Sequence, residues 1–540
     1  VRPTSDVTRH WVFALILSLI ACFSLAANAD DTVFQTGIEN LTAKSFKDKI
    51  QGAQQVADSG DERAEQILKA LLDRQLFYTK SDKTLVFFDE DTSATQAKQV
   101  ASGEVLAIES AKDLTRVRTN NRMRGLIKRL IANIQLSHPD ATVRLAAVKA
   151  MMGQVTPDQI SSINALSEKE TDADVKREME TLVQLSELES SDETVVKAAI
   201  AGLAGNLNQQ VRPKLEALVD SDNAEIAASA KTTLEAIDKK VTWYGHLETL
   251  FFGLSLGSVL VLAAIGLAIT FGVMGVINMA HGELIMIGAY TTYTIQHYIM
   301  PNYPGVSLIV SIPAAFVVAG LVGILIEKTV IRHLYGRPLE TLLATFGISL
   351  ILQQAVRSIF SPLNRSVETP EWMSGSIQIN EVLSLTLNRL YVIAFCLVVF
   401  ALLFMVLKKT SLGLQVRAVS QNRGMARAMG VKASKVDAMT FGLGAGIAGI
   451  AGVALSQLTN VGPNLGQSYI IDSFMVVVFG GVGNLWGTLI SGFSLGIANK
   501  FMEPYAGAVL AKILVLVFII LFIQKRPRGL FPQKGRAADS

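Results

Sequence analysis

The sequence predicts an all-α protein in which a polytopic membrane bundle follows a soluble helical domain. Three observations predict that class. Half of the 540 residues are apolar, mean hydropathy is +0.38 and only 18% of residues are charged, a composition too apolar for one soluble globule. Charge is spread unevenly: residues 30–240 hold 34 acids against 27 bases, and residues 241–540 hold 11 against 20. The bases of the second part cluster between apolar runs long enough to cross a bilayer. The two cysteines, Cys22 and Cys396, both fall in apolar segments, which excludes a disulfide framework.

Residues 1–29 read as a secretory signal. Arg2 and Arg9 form the charged start, "WVFALILSLIACFSLAA" the apolar stretch, and Ala27-Asn28-Ala29 a small-x-small cleavage site. "LIAC", ending at Cys22, admits a lipoprotein site instead, and an uncleaved anchor is a third alternative. All three place residue 30 onward outside the cytoplasm, in the periplasm of a bacterial cell.

Residues 30–240 form the soluble domain and look helical almost throughout, with a strand signal only in "KTLVFFD" (83–89). Four stretches, 138–152, 170–185, 190–205 and 220–237, each open with Asp, Ser or Asn at a helix N-cap position and continue with apolar residues at helical spacing. Asp140, Asp192 and Asp222 start three of them. Such helices resemble HEAT-like repeats, which stack because no single helix pair buries its own apolar face. A stack of this kind presents a surface to another protein or acts as a spacer. His138 is the only histidine between 30 and 240 and no G-x-x-x-x-G-K phosphate loop occurs in the chain, so neither a metal site nor a nucleotide site is expected. No catalytic residue and no cofactor is expected either.

Spanning-length apolar runs lie at about 247–271, 283–299, 306–326, 340–360, 389–407, 436–457 and 507–523, with a broken stretch at 469–499. Arg332 and Arg337 follow the third run, Lys408 and Lys409 the fifth, and "QKRPRGLFPQKGR" (524–536) the last. Positive loops stay cytoplasmic. With residues 30–240 outside, the number of crossings must then be odd, which 469–499 satisfies as two passes or as a re-entrant pair.

Two places break the helical pattern at membrane depth: "FGVMGVINMAHGELIMIGAY" (271–290) and "VVVFGGVGNLWGTLISG" (476–492). Irregular backbone survives there only where it is buried in protein or lines a cavity, and polar groups at that depth default to function. Asn278, His281 and Glu283 are therefore candidates for a gate or pathway, whereas the glycines suit close helix packing.

Between the fifth run and 436–457 lies a basic insert, residues 411–435. Arg417, Arg423, Arg427, Lys432 and Lys435 are followed by one acid, Asp437. Asn422 is placed to cap a helix over Arg423–Met429 and Gly430 to end it in a left-handed conformation. Ser434 and Asp437 read as a capping box opening the next span. A helix of two turns is unstable alone and must be ordered by its scaffold or a partner, with Met425, Ala426 and Met429 able to fill a groove. A loop held by anionic lipid is the plainer alternative.

"RAVSQNRGMARAMGVKASKVDAMTFGLGAGIAGIAGVAL" (417–455) closely resembles the coupling segment of membrane permeases in the branched-chain amino-acid family of ABC importers. "GVMGVINMAHGELIMIGAY", "VFGGVGNLWGTLISG" and "RPRGLF" (526–531) are similar to three further motifs of that family, in order, over about 240–533. The resemblance implies a pore subunit that works with a second permease subunit, two cytoplasmic ATPases docked on coupling helices and a periplasmic substrate-binding protein. Here Arg417, Asn422, Arg423, Met425, Ala426, Arg427, Met429 and Gly430 would carry the coupling. A signal peptide and a helical domain ahead of such a bundle resemble the layout of urea importer permeases in Gram-negative inner membranes. Urea is small and neutral, and its pathway needs donors and acceptors such as Asn278, His281, Thr345, Gln353 or Asn484. A zwitterionic amino acid would want a site for each charge, and Glu283 and Asp472 keep that alternative open. A passive channel would need no coupling insert, and a membrane amidase would need a nucleophile and base that are not seen.

Overall fold

A computed structural model describes residues 32–531 apart from 89–95, 102, 108–112, 153, 154 and 156. The signal segment over 1–29 lies outside the described residues. The chain forms two compact units, one up to Asp238 and one from Lys239.

The first unit opens with helices α1 (32–41), α2 (Phe46–Asp58) and α3 (Ala64–Leu72). Five short strands follow: β1 (Leu76–Thr79), β2 (Leu85–Phe87), β3 (Gln96–Gln99), β4 (Val105–Ala107) and β5 (Leu114–Arg116). They pair antiparallel in the order β4-β3-β2-β1-β5, with Phe77 opposite Val86 and Arg116. The all-α expectation is corrected here. Strands of three or four residues are too short to display a period of two, and their turns are set by Lys83 and Gly103, both at positive φ (58° and 74°), rather than by a Gly-Asn dipeptide. Phe34, Ile67, Leu68, Leu76, Leu85, Met123 and Ile127 share one core.

Helices α4 (Asn121–Gln135), α5 (Ala141–Met151), α6 (Pro157–Lys169), α7 (Ala173–Glu187), α8 (Glu193–Gly202) and α9 (Val211–Val219) complete the unit, together with the start of α10 (Ala224–Met274). Side chains of Asn120, Asp140, Asp172 and Asp192 cap α4, α5, α7 and α8. Asp222 does not cap α10. The next residue does: Asn223 Oδ1 accepts from the amides of Glu225 (3.0 Å) and Ile226 (3.3 Å). Arg144 donates two parallel bonds to the Glu170 carboxylate, at 2.7 and 2.8 Å, and that carboxylate also accepts from the amides of Thr171 and Asp172. The Arg144 guanidinium above all pulls the Glu170 carboxyl down from 4.5 to about 2.

The second unit contains the rest of α10, then α11 (His281–Thr294) with a π-turn over Ile295–Ile299, α12 (Pro304–Thr329), α13 (Pro338–Phe360), α14 (Leu387–Lys409), α15 (Ser411–Gln421), α16 (Arg423–Ala428), α17 (Ala433–Ser456), α18 (Leu465–Gly480) and α19 (Leu485–Lys525). A two-stranded hairpin, β6 (Ser376–Gln378) and β7 (Ser384–Thr386), lies between α13 and α14. Among the described residues α10, α12, α13, α14, α17 and α19 are long and apolar enough to cross a membrane. At Gly507 (φ 76°, ψ 159°) α19 turns, so that 485–506 and 508–525 are separate helices.

α17 is the central element, buried along nearly its whole length. Its small residues let three neighbours approach to backbone contact. A Cβ added at Gly444 would stand under 3.0 Å from the Gly266 carbonyl of α10, one at Gly288 of α11 would strike Gly449, and one at Gly323 of α12 would strike Ala445. Close approach of this kind substitutes for hydrophobic driving force between helices in lipid. Gly257 against Phe493 and Gly253 against Ile497 run α10 antiparallel to 485–506. The broken stretch 469–499 is thus two antiparallel helices, α18 and 485–506. Lys512 then pairs with buried Asp472 at 3.0 Å and ties 508–525 back to α18.

The backbone reversals fall in register at one end. Gly272 meets Gly483, and the tail hydrogen-bonds to the α18–α19 turn through the amides of Leu530 and Phe531 to the carbonyls of Phe479 (2.9 Å) and Gly480 (3.2 Å). Val273 packs with Val416 and Val419 of α15, and Trp486 packs on Phe400 and Phe404 near the end of α14. The basic loops after α12, after α14 and after α19 therefore share one end of the bundle.

Two outcomes follow for the fold. Glu170 contributes stability that is complete above pH 4.5 and is lost as pH falls through about 2; protection of α5 and α7 from hydrogen exchange, corrected for intrinsic rate, should fall over that window, and Glu170→Gln should flatten the dependence. Gly288→Val should prevent α11 from seating on α17 and give an aggregated chain in size-exclusion chromatography, whereas Gly347→Ala on α13, where an added Cβ meets nothing within 4 Å, should elute as the wild type does.

Candidate functional site

Two polar assemblies lie within the apolar bundle. The first forms where the chain leaves α10. Gly275, at φ 66°, turns the backbone, and residues 275–280 run without helix before α11 starts at His281. Asn278 Oδ1 accepts from the Ala280 amide at 3.0 Å, making a local Asx-type turn. Opposite this segment α13 presents Thr345, Ser349 and Gln353, one turn apart on one face. The Met279 amide donates to the Thr345 hydroxyl at 3.1 Å. Ser349 and Gln353 both donate to one oxygen of Glu283, at 3.0 and 2.7 Å. Asn278, Glu283, Thr345, Ser349 and Gln353 are all buried.

Glu283 Oε2 and Asn278 Nδ2 have no hydrogen-bond partner among the described residues. The seam therefore keeps one acceptor and one donor unused at membrane depth, where an unsatisfied polar group is costly. Ser349 is a member that sequence reasoning missed. Its spacing of four from both Thr345 and Gln353 was the available signal. His281 faces the other way: its Nε2 lies 2.8 Å from the Ala263 carbonyl of α10, and because a carbonyl only accepts, the proton sits on Nε2. His281 thus anchors the start of α11 to α10, apart from the seam. Asn484 is also elsewhere. It caps α19 by accepting from the Gly487 amide (3.1 Å) and donates to the Phe531 carbonyl (3.2 Å), at the end of the bundle that carries the basic loops.

The second assembly underlies the basic insert. Asn422 Oδ1 accepts from the Met425 amide at 2.9 Å and caps α16. At the other end Gly430 takes φ 88°, and the amides of Gly430 and Val431 bond back to Arg427 and Ala426, both at 3.0 Å, a Schellman ending. Ala426 faces inward, buried with Val416, Val419, Ala433 and Val436, so it seats α16 and offers nothing to a partner. Met425 and Met429 face outward, 62% and 79% exposed, and Arg427 is exposed beside them. Arg417 donates to the Leu407 carbonyl and so clasps α15 to the end of α14.

Arg423 does not face outward. Its guanidinium pairs with the buried carboxylate of Asp437 on α17 and lies 4.3 Å from the centre of the Tyr335 ring. Asp437 is consequently no capping residue: α17 starts at Ala433 without a side-chain cap, because this carboxylate is spent on Arg423. Next to it Glu327, buried at the end of α12, lies 3.8 Å from Arg332. Arg423, Asp437 and Tyr335 thus join α16 to α17 and to the turn after α12. Removing one partner of such a pair costs about 3–5 kcal/mol, because a buried charge is left alone. Tyr335 and Glu327 were not legible as part of a lock, since 88 residues separate Tyr335 from Arg423 and 110 separate Glu327 from Asp437; Asp437, 14 residues from Arg423, was read as a cap instead.

Residues 249–523 match the family model described as branched-chain amino acid transport system / permease component. The high-affinity branched-chain amino acid transport system permease protein BraD of Pseudomonas aeruginosa is 30% identical over 298 residues, covering 53% of this chain and 96% of that protein. The corresponding LivH of Escherichia coli is 29% identical over 293 residues, 53% of this chain and 94% of that protein. A probable LivH of Methanocaldococcus jannaschii is 27% identical over 284 residues, 51% and 88%. No solved structure matches. These relatives are transport permeases, not enzymes, and the elements that match them hold both polar assemblies. The chain belongs to the permease family of branched-chain amino acid transport systems.

Proposed function

We propose that this chain is the pore-forming permease of an ATP-driven importer of urea in a bacterial inner membrane. The observation that carries the transport mechanism is α16: a helix of under two turns, capped at both ends and pinned beneath by Arg423 and Asp437, with Met425, Arg427 and Met429 turned outward. That is the form of a docking element for cytoplasmic ATPases. Two ATPase copies, a second permease and a periplasmic binding protein complete the importer. The end with the basic loops is then cytoplasmic, and residues 30–240, with a signal segment before them, are periplasmic. The run of helices α4–α9, with Asp caps on α5, α7 and α8, supports a HEAT-like surface there for a partner.

Urea rather than an amino acid is supported by the seam. Asn278, Thr345, Ser349 and Gln353 are neutral hydrogen-bonding groups, and the unused Asn278 donor and Glu283 acceptor suit a planar amide that both donates and accepts. It is also supported by the first 240 residues, which precede the segment 249–523 that matches the permease family model. Branched-chain amino acids are the second reading, favoured by those relatives and by the start of α11 at membrane depth, whose dipole favours a carboxylate.

Alternating access follows from the lock. ATPase closure would move α16, and Arg423 would carry that motion into α17 and the turn after α12 as rigid elements. Uptake of radiolabelled urea and of leucine in cells expressing the whole importer, with and without this chain, should show loss of urea uptake alone; loss of leucine uptake instead would make the second reading correct. Arg427→Glu should lower ATPase co-purification and uptake together, roughly tenfold for one interface charge, with the fold unchanged. Arg423→Asp should destabilise the chain by about 3 kcal/mol, and adding Asp437→Arg should restore part of it; unchanged thermal stability in Arg423→Asp would remove the lock.

A further inference from the structure

Beside the lock, between the end of α12 and the start of α17, is an open cleft of about 390 Å³. Its basic lining is Lys328, Arg332 and Lys435 with the hydroxyl-bearing Ser434, and its apolar lining includes Ile324 and Met439. We propose that this cleft binds the headgroup of an anionic phospholipid.

Both walls have the same order of residues. On α12, Leu321, Leu325 and Lys328 recur at i, i+4 and i+7 and so share one face. Both leucines are 61% exposed. On α17, Met439 and Lys435 are one turn apart, again with the apolar side chain deeper along the spanning helix and the cation at its end. An acyl chain laid along Leu321, Leu325 and Met439 therefore brings its phosphate to the cations where the spans stop. Neither Lys328 nor Lys435 donates to a carboxylate among the described residues. Glu327, next to Lys328 in the chain, is buried and lies 3.8 Å from Arg332. Two exposed ammonium groups without a carboxylate hydrogen bond and a half-exposed guanidinium converge where an anionic headgroup would lie, and basic clefts between spanning helices have this preference. An acidic protein segment fits less well, because its contacts along Ile324 and Met439 would have to displace lipid.

The site adjoins the lock, since Arg332 on its rim lies 3.8 Å from Glu327. Native mass spectrometry of the whole chain tests the proposal. The chain in detergent is titrated with phosphatidylglycerol and, separately, with phosphatidylcholine of the same acyl chains. Phosphatidylglycerol should bind more tightly, and Lys328→Gln with Lys435→Gln should weaken it about fivefold per lysine, roughly twenty-fivefold together. Both lysines are exposed, and unchanged elution confirms that the variant folds. Lys408→Gln with Lys409→Gln removes equal charge at the same end of the bundle and should leave the affinity as it was. Equal weakening by both double variants would reduce the effect to general surface charge and overturn the proposal. So would unchanged affinity in Lys328→Gln/Lys435→Gln. Displacement of the lipid by inorganic phosphate alone would assign the cleft to free phosphate instead.

Discussion

The second unit depends on how closely the backbone of α17 can be approached. Lipid offers no hydrophobic drive to bring helices together, so they hold by van der Waals contact and hydrogen bonds. Gly442, Gly444, Gly446, Gly449 and Gly452 place small residues on several sides of α17, and α10, α11 and α12 press on it at backbone distance. One rigid central helix thereby fixes the positions of three others. Both polar assemblies hang on that arrangement: α11 carries Glu283 to α13, and the first turns of α17 carry Asp437 to Arg423.

Buried polar groups in this bundle are held in two different ways. Arg423 and Asp437 form a charged pair that stiffens the joint between the insert and the spans, although one Asp437 oxygen has no partner among the described residues. The seam is only partly satisfied, with Asn278 and Glu283 each retaining an unused atom. A charge pair between two helices suits a part that must transmit displacement without changing its own contacts. A partly satisfied set suits a part that exchanges partners with a passing solute. The lipid-facing cleft adds a third case, in which the unmatched charge lies at the membrane boundary and its counter-ion comes from the bilayer.

Much of the site was legible because local chemistry dictates it. Asn422 and Gly430 frame α16 whatever surrounds them, since a side-chain acceptor and a residue tolerant of positive φ are needed at those two places. The break at 275–280 was marked by its glycines and polar residues. What was not legible were directions. His281 and Glu283 are two residues apart, yet one faces α10 and the other α13. Arg423 and Arg427 are both basic residues of one short helix, yet one is a lock and the other is exposed. Asn484 belonged to a motif rich in glycine at apparent membrane depth and proved to cap a helix at the bundle's end. Of the sheet over 76–116 only β2 was signalled, by "KTLVFFD" (83–89); the other strands escaped because they pair only through neighbours and carry no period of their own.

By itself the sequence determined the two-part division, the spans other than the run at 283–299, which became the 14-residue α11, the clustering of positive charge and the family to which the chain belongs. Each of those is written in composition, run length or a contiguous motif, and each survives without knowing what touches what. Tertiary structure decided which polar residues meet. Helix packing at glycine contacts sets the rotation of α11, α12 and α17 about their axes, and a rotation of 100° per residue moves a side chain from a neighbour's face to another's. Residues more than 60 positions apart, such as Glu283 and Gln353, or Tyr335 and Arg423, become one site only when that rotation is set.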